Sequence, residues 1–259
     1  MHEAFVTWLD DLRAAVMFLT RLPMPARTEP VWPRLLRAFP LAGALIGALS
    51  ATVLVAAMWL NLGAWSAALL ALATSVAITG ALHEDGLADC CDALGARDRA
   101  RRLDIMRDSR LGAFGVLGMI FAIALPVAAL ARIVENAGAM AAAATLVSAH
   151  AVSRLAPIWL LHALPAARAD GRGAEAGRPG WDILAQAALA AFVIWLLFQV
   201  PLAGLGAPLP LFAAAVAAWL VAPMAHAAFG GHTGDVAGAM EVLARSAFLL
   251  AASAPNLHA

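Results

Sequence analysis

The run His83-Glu84-Asp85-Gly86-Leu87-Ala88-Asp89-Cys90-Cys91-Asp92 spaces three aspartates at i, i+4 and i+7. At about 3.6 residues per turn, Asp85, Asp89 and Asp92 form one stripe along two turns of a helix face. Like charges stacked this way repel, so something positive must lie opposite. A hard divalent cation suits such an all-oxygen set. Mg²⁺ typically takes one or two carboxylates together with waters and substrate phosphate. A solvated helix face is the plain alternative, and the lack of any soluble domain weighs against it.

Two more clusters accompany the stripe. In Arg101-Arg102-Leu103-Asp104-Ile105-Met106-Arg107-Asp108-Ser109-Arg110, Asp104 and Asp108 share one face of a predicted second amphipathic helix. The planar forks of Arg102, Arg107 and Arg110 suit bidentate phosphate contacts; an intrahelical salt-bridge ladder is the alternative. The run Gly230-Gly231-His232-Thr233-Gly234-Asp235 combines a glycine turn with oxygens near a helix N-terminus, whose dipole favours anions. There the alternative is a simple turn and cap. His83-Glu84 is not a zinc-protease signature, because no second histidine follows at the required spacing.

These groups need a scaffold, and the composition says what kind. Of 259 residues, 63% are hydrophobic and 13% charged, against roughly 45–50% and about 25% in soluble domains. So few charges cannot cover a water-facing surface, so the chain is expected in a lipid bilayer. Net charge is zero, from 17 arginines and 17 acidic residues, which excludes a nucleic-acid binder acting through bulk charge. The two cysteines are adjacent and fit no disulfide framework or spaced zinc site. No cleavable signal peptide is expected, since residues 1–20 carry four charges and no clean apolar run.

A spanning helix needs about 20 mostly apolar residues. Seven stretches qualify: 41–60, 64–82, 115–134, 138–161, 183–202, 209–228 and 236–254. The reading is therefore all-α, a polytopic membrane bundle forming one catalytic domain over 1–259. Residues 1–40 would be an interfacial segment, with an amphipathic helix over 4–20 and an irregular proline-rich connection over 21–40. Residues 83–110 would be a catalytic loop on the cytoplasmic side. Alternation of the spans puts twelve arginines (Arg27, Arg34, Arg37, Arg97, Arg99, Arg101, Arg102, Arg107, Arg110, Arg168, Arg172 and Arg178) on one side and Arg132 on the other. That is a positive-inside asymmetry. Within the spans, His150, Arg154, Glu241 and Arg245 are costly in hydrocarbon; Arg154 either pairs, with Glu241 as one partner, or touches substrate. His2, His162, His226 and His258 join no constellation. The small-residue run 137–144 permits close helix packing, so a homo-oligomer is open.

Taken together, the motifs resemble those of the cobalamin synthase family, the adenosylcobinamide-GDP ribazoletransferases. The resemblance runs over about 15–252. It rests on Phe18-Leu19-Thr20-Arg21-Leu22-Pro23, Phe39-Pro40-Leu41 with Gly43 and Gly47, the Asp85 to Asp92 run, and Ile105 through Gly112 with Gly115. Ser153-Arg154 and Gly231 through Asp235 with Gly238-Ala239 complete it. It implies a multi-pass enzyme of the bacterial inner membrane that uses Mg²⁺. Such an enzyme joins adenosylcobinamide-GDP to α-ribazole, or to its phosphate, and releases GMP. The sequence departs from that pattern at Glu84, where an apolar residue is more usual, and at Arg245, where an acidic one is expected.

Phosphoryl-type transfer asks a protein mainly for positioning and charge neutralisation. On that basis Asp85, Asp89 and Asp92 are expected to hold Mg²⁺, with Asp235 completing that set or a second one. Arg102, Arg107 and Arg110 are expected on phosphate oxygens, with Asp108 as a metal ligand or an orienter of arginine. Arg21, Arg154, His232, Thr233 and Gly234 are expected to contact substrate. His83 is the candidate general base, because an ordinary imidazole titrates near neutrality. Two other classes stay open. A CDP-alcohol phosphotransferase also uses aspartates and Mg²⁺, but its signature spacing is not followed here. An ion transporter would need carboxylates at mid-membrane depth, for which only Glu241 speaks.

Overall fold

Apolar runs fold as helices throughout the computed structural model, which describes residues 2–24, 31–108 and 110–254. Pro25, Arg27, Pro30, Ser109 and His258 lie outside those residues; for His2, Phe5 and Arg172 the backbone alone is described. The order is α1 (His2–Leu19), a 3-10 turn (Arg34–Ala38), α2 (Phe39–Trp59), α3 (Ala64–Thr79), α4 (Leu82–Leu94) and α5 (Arg99–Ile105). There follow α6 (Ala113–Ala137), α7 (Ala139–Ser153), α8 (Leu155–Ala163), α9 (Arg172–Glu175), α10 (Trp181–Phe198), α11 (Val200–Ala203), α12 (Pro208–Phe229) and α13 (Gly234–Ala252). The all-α expectation holds: among the described residues the one extended pairing is an isolated bridge between Ala166 and His232.

Five helical stretches are long and apolar enough to cross a membrane: Arg34–Trp59, Ala113–Ala137, Ala139–Ala163, Trp181–Leu202 and Pro208–Phe229. A sixth candidate, α3 with α4, is bent by 90°. The corner falls at Gly80 and Ala81, both with positive φ (64° and 59°), which glycine adopts readily and alanine does not. With α3 as the span, α4 turns away from its axis and packs on α6 and α13. The expected span 64–82 therefore stops at Thr79. Helix α13 occupies the bundle interior, packed on α4, α6, α7, α8 and α12. Its Glu241 and Arg245 are 0% and 2% exposed, so these charges face protein and not lipid.

Glycines set the closest helix contact. A Cβ at Gly43 of α2 would lie 2.3 Å from the His150 carbonyl oxygen of α7, and one at Gly47 would lie 2.8 Å from that of Leu146. Small residues four apart let two backbones approach in this way.

Three expectations are corrected in detail. The span 138–161 is broken at Arg154, between α7 and α8. Pro157 lacks the N–H that would close the helical bond to the Ser153 carbonyl. The helix expected through Arg110 ends at Ile105, its last turn tightened by Arg107 N–H donating to Asp104 O at 3.0 Å; Asp104 and Asp108 therefore do not share a helix face. The connection 21–40 is not irregular to its end, since Pro40 sits in the first turn of α2, where a missing N–H costs nothing. The expected N-terminal amphipathic helix is α1. It is held by Asp11, which accepts from Arg34 Nε at 3.0 Å and Arg37 Nε at 2.8 Å, while Arg37 lies 4.2 Å over the Trp8 ring.

Candidate active site

Helices α4 and α13 touch backbone to backbone at the arginine-rich end of the bundle. A Cβ at Gly86 would fall 2.7 Å from the Asp235 carbonyl oxygen and 2.9 Å from its Cα. Only glycine fits there. The contact sets Asp85 and Asp89, on the α4 stripe, beside Asp235 in the first turn of α13. Burial, then the charges of Asp85, Asp235 and Asp92, push the Asp89 carboxyl up to about 7. Burial likewise raises Asp235, although Arg168 pulls the other way. Arg168 reaches Asp235 at 3.4 Å and Asp170 at 4.0 Å. It is carried there by paired loops: Ala167 N–H donates to His232 O at 2.8 Å and His232 N–H to Pro165 O at 2.9 Å.

Two cavities open on this carboxylate group. The first, about 330 Å³, runs from Phe18, Trp32 and Phe39 to His83, Asp85, Arg168 and Asp235. The second, about 310 Å³, is lined by Asp85, Asp89, Arg107, Asp108 and Arg110 among others. Asp85 lines both. His83 is buried at the first cavity, and burial holds its imidazole down at about 4, so at neutral pH it is uncharged and a weaker base than the near-neutral imidazole expected from the sequence. In the second cavity Arg110 donates to Asp108 through Nε at 3.0 Å and holds that carboxyl down at about 2. Arg107 reaches Asp170 at 2.7 Å.

Four of the expected site residues stand elsewhere. Asp92 Oδ2 accepts from Gly112 N–H at 2.7 Å and Oδ1 from Gly115 N–H at 2.8 Å. It is the anion at the N-terminus of α6, where the helix dipole welcomes it. Arg102 donates to the carbonyls of Ala96 and Ala228 at 3.0 and 3.2 Å and staples α5 to α12. Arg154, 1% exposed, pairs with Glu241 and donates to Ser153 Oγ at 3.2 Å. Arg21 is exposed and lies over Gly80 at the α3–α4 corner.

Of the last cluster, Thr233 caps α13, its Oγ1 accepting from Val236 N–H at 3.1 Å. Gly234 lines the first cavity, and His232 is buried with no partner for Nδ1 among the described residues. Glu84 and Arg245, the two residues expected to depart from the family pattern, meet each other. Arg245 donates to Glu84 Oε1 at 2.7 Å and lies 3.8 Å from Glu241, so Glu84, Arg245, Glu241 and Arg154 form one buried, neutral chain of charges. Sequence reasoning missed Arg168, counting it only as a loop charge. It also missed the aromatic wall, although Phe18 and Phe39 both fall in motifs it singled out.

Among the described residues no three His, Cys, Asp or Glu side chains converge closely enough to hold a metal ion unaided. The donor chemistry nevertheless suits Mg²⁺, which binds through few carboxylates and completes its shell with water and phosphate oxygens.

A family model described as cobalamin-5-phosphate synthase matches residues 11–253. Three curated relatives bear the name adenosylcobinamide-GDP ribazoletransferase. The one from Azorhizobium caulinodans is 43% identical over 250 residues, 93% of this chain and 94% of the relative. That from Xanthobacter autotrophicus is 46% identical over 256 residues, with 93% and 94% covered. That from Brucella anthropi is 41% identical over 251 residues, with 93% and 95% covered. No solved structure matches the chain.

Proposed function

The chain belongs to the cobalamin-5-phosphate synthase family, and from that premise we propose that it is an Mg²⁺-dependent transferase of the bacterial inner membrane. It would join adenosylcobinamide-GDP to α-ribazole, or to α-ribazole phosphate, releasing GMP. A ribazole hydroxyl oxygen bonds to the phosphorus attached to the cobinamide, and the bond from that phosphorus to GMP breaks. GMP leaves with the electron pair. The observation that carries the site assignment is Asp85, which lines both cavities and so marks where donor and acceptor meet.

Asp85, Asp89 and Asp235 would hold the cation. A Mg²⁺ ion held there would supply positive charge to offset that of the diphosphate and the leaving group. The other steps fall to the chain's own side chains. His83 accepts the proton of the attacking hydroxyl, Arg107 and Arg110 exchange their surface carboxylates for phosphate oxygens, and Asp108 keeps the Arg110 fork oriented until they do. The arginine-rich end carrying the site would face the cytoplasm, as the positive-inside asymmetry argues.

The test is the purified protein with adenosylcobinamide-GDP, α-ribazole and Mg²⁺, measuring corrinoid product and GMP together. Equal amounts of both support the reading; GMP release without ligated corrinoid contradicts it. CDP-alcohol donors in the same assay should give no product.

A further inference from the structure

Resting on that transferase reading, we infer that the cavity between α1, the 3-10 turn, α8 and α13 is the acceptor subsite, built for an aromatic nucleoside. Its lining combines two chemistries. Phe18 meets Trp32 edge to face with centroids 5.1 Å apart, and stacks on Phe39 at 5.8 Å. Trp32 is only half-buried, so ring surface is left for a flat heteroaromatic base. The same cavity is lined by His83, Asp85, Arg168 and Asp235, polar groups suited to a ribose and its substituents. Arg168 brings a spare donor, because its buried second terminal nitrogen has no partner among the described residues.

Lining chemistry separates the two substrates. About 330 Å³ lies at the lower end of small-molecule sites. It suits a nucleoside. The second cavity brings Arg107 and Arg110 beside Asp85 and Asp89 and lacks an aromatic wall, so it suits the diphosphate of the donor. With the base against the aromatic rings, the ribose hydroxyls would fall at the wall shared by both cavities, at Asp85 beside His83. Phe18, Trp32 and Phe39 are thus specificity-determining residues, selecting a planar aromatic base by stacking.

The test separates the two Michaelis constants in Trp32→Leu and Phe18→Leu, which keep apolar bulk. The KM for α-ribazole should rise roughly five- to tenfold, as loss of an aromatic contact implies, while that for adenosylcobinamide-GDP stays within about twofold. Trp32→Phe should retain most of the affinity. Unchanged constants for both substrates, or a rise confined to the donor, would overturn the assignment while leaving the transferase reading intact. Binding of α-ribazole to detergent-solubilised protein without donor, followed by equilibrium dialysis, needs no turnover. Binding weakened in Trp32→Leu supports the subsite even if the enzyme proves to use another donor. Equal binding by wild type and variant refutes it.

Discussion

Glu84 of α4 and Arg245 of α13 are 161 positions apart and meet at 2.7 Å with both side chains buried. Together they form one ion pair that pins the carboxylate-bearing helix to the central helix of the bundle. Removing one partner of such a pair leaves a buried charge uncompensated, at a cost of about 3–5 kcal/mol, whereas removing both with apolar replacements is often neutral. Glu84→Leu should therefore lower the thermal denaturation temperature of the detergent-solubilised protein sharply. Glu84→Leu with Arg245→Leu should recover most of that loss, since Arg154 and Glu241 remain as a neutral pair. A double variant no better than either single one would contradict this account.

Asp92 should behave as a helix anchor. Asp92→Ala strips acceptors from Gly112 and Gly115 and should cost about 1–2 kcal/mol of stability, as lost helix caps do. The Mg²⁺ concentration giving half-maximal activity should stay unchanged. A tenfold rise in that concentration would make Asp92 a metal ligand after all.

Gly86 should tolerate no side chain. The added methyl of Gly86→Ala meets α13 backbone and not a yielding side chain, so the helices must separate, at about 1–3 kcal/mol. Activity should fall at least tenfold, because Asp235 moves away from Asp85 and Asp89. Wild-type activity in this variant would show that the α4–α13 crossing does not set the site.

Arg107 and Arg110 make only surface ion pairs, which stabilise little. Arg107→Ala and Arg110→Ala should leave the denaturation temperature unchanged and raise the KM for adenosylcobinamide-GDP roughly tenfold, the worth of a hydrogen bond to a charged group. An effect on α-ribazole alone would assign the second cavity differently.

Much of this was legible before any coordinates. Apolar runs interrupted by arginine-rich loops locate the long helices, and the i, i+4, i+7 spacing gives the Asp85–Asp89 face of α4. The cost of charge in hydrocarbon names Arg154 and Glu241 as partners. Periodicity could not reveal what depends on three-dimensional crossing. Asp92 lies on the same helical stripe as Asp85, yet its carboxylate serves α6 because Gly112 and Gly115 come up beneath it. Arg102 looks like a phosphate ligand by spacing and is spent on two carbonyls. Arg168 joins the site only because loops around Pro165 and His232 pair, a contact between segments 67 positions apart with no local signal. The 90° corner at Gly80 ends the predicted span at Thr79 and turns α4, which carries the aspartates, onto α6 and α13.

The central claim is that Asp85 stands where donor and acceptor meet and helps to hold the Mg²⁺ between them. The direct measurement is the rate of corrinoid ligation by Asp85→Asn against Mg²⁺ concentration, in protein shown to insert and fold as wild type does. The account predicts a rate lowered roughly 100-fold or more, the scale of losing one group that stabilises developing charge, together with a raised Mg²⁺ requirement. A near-native rate at limiting Mg²⁺ would contradict it.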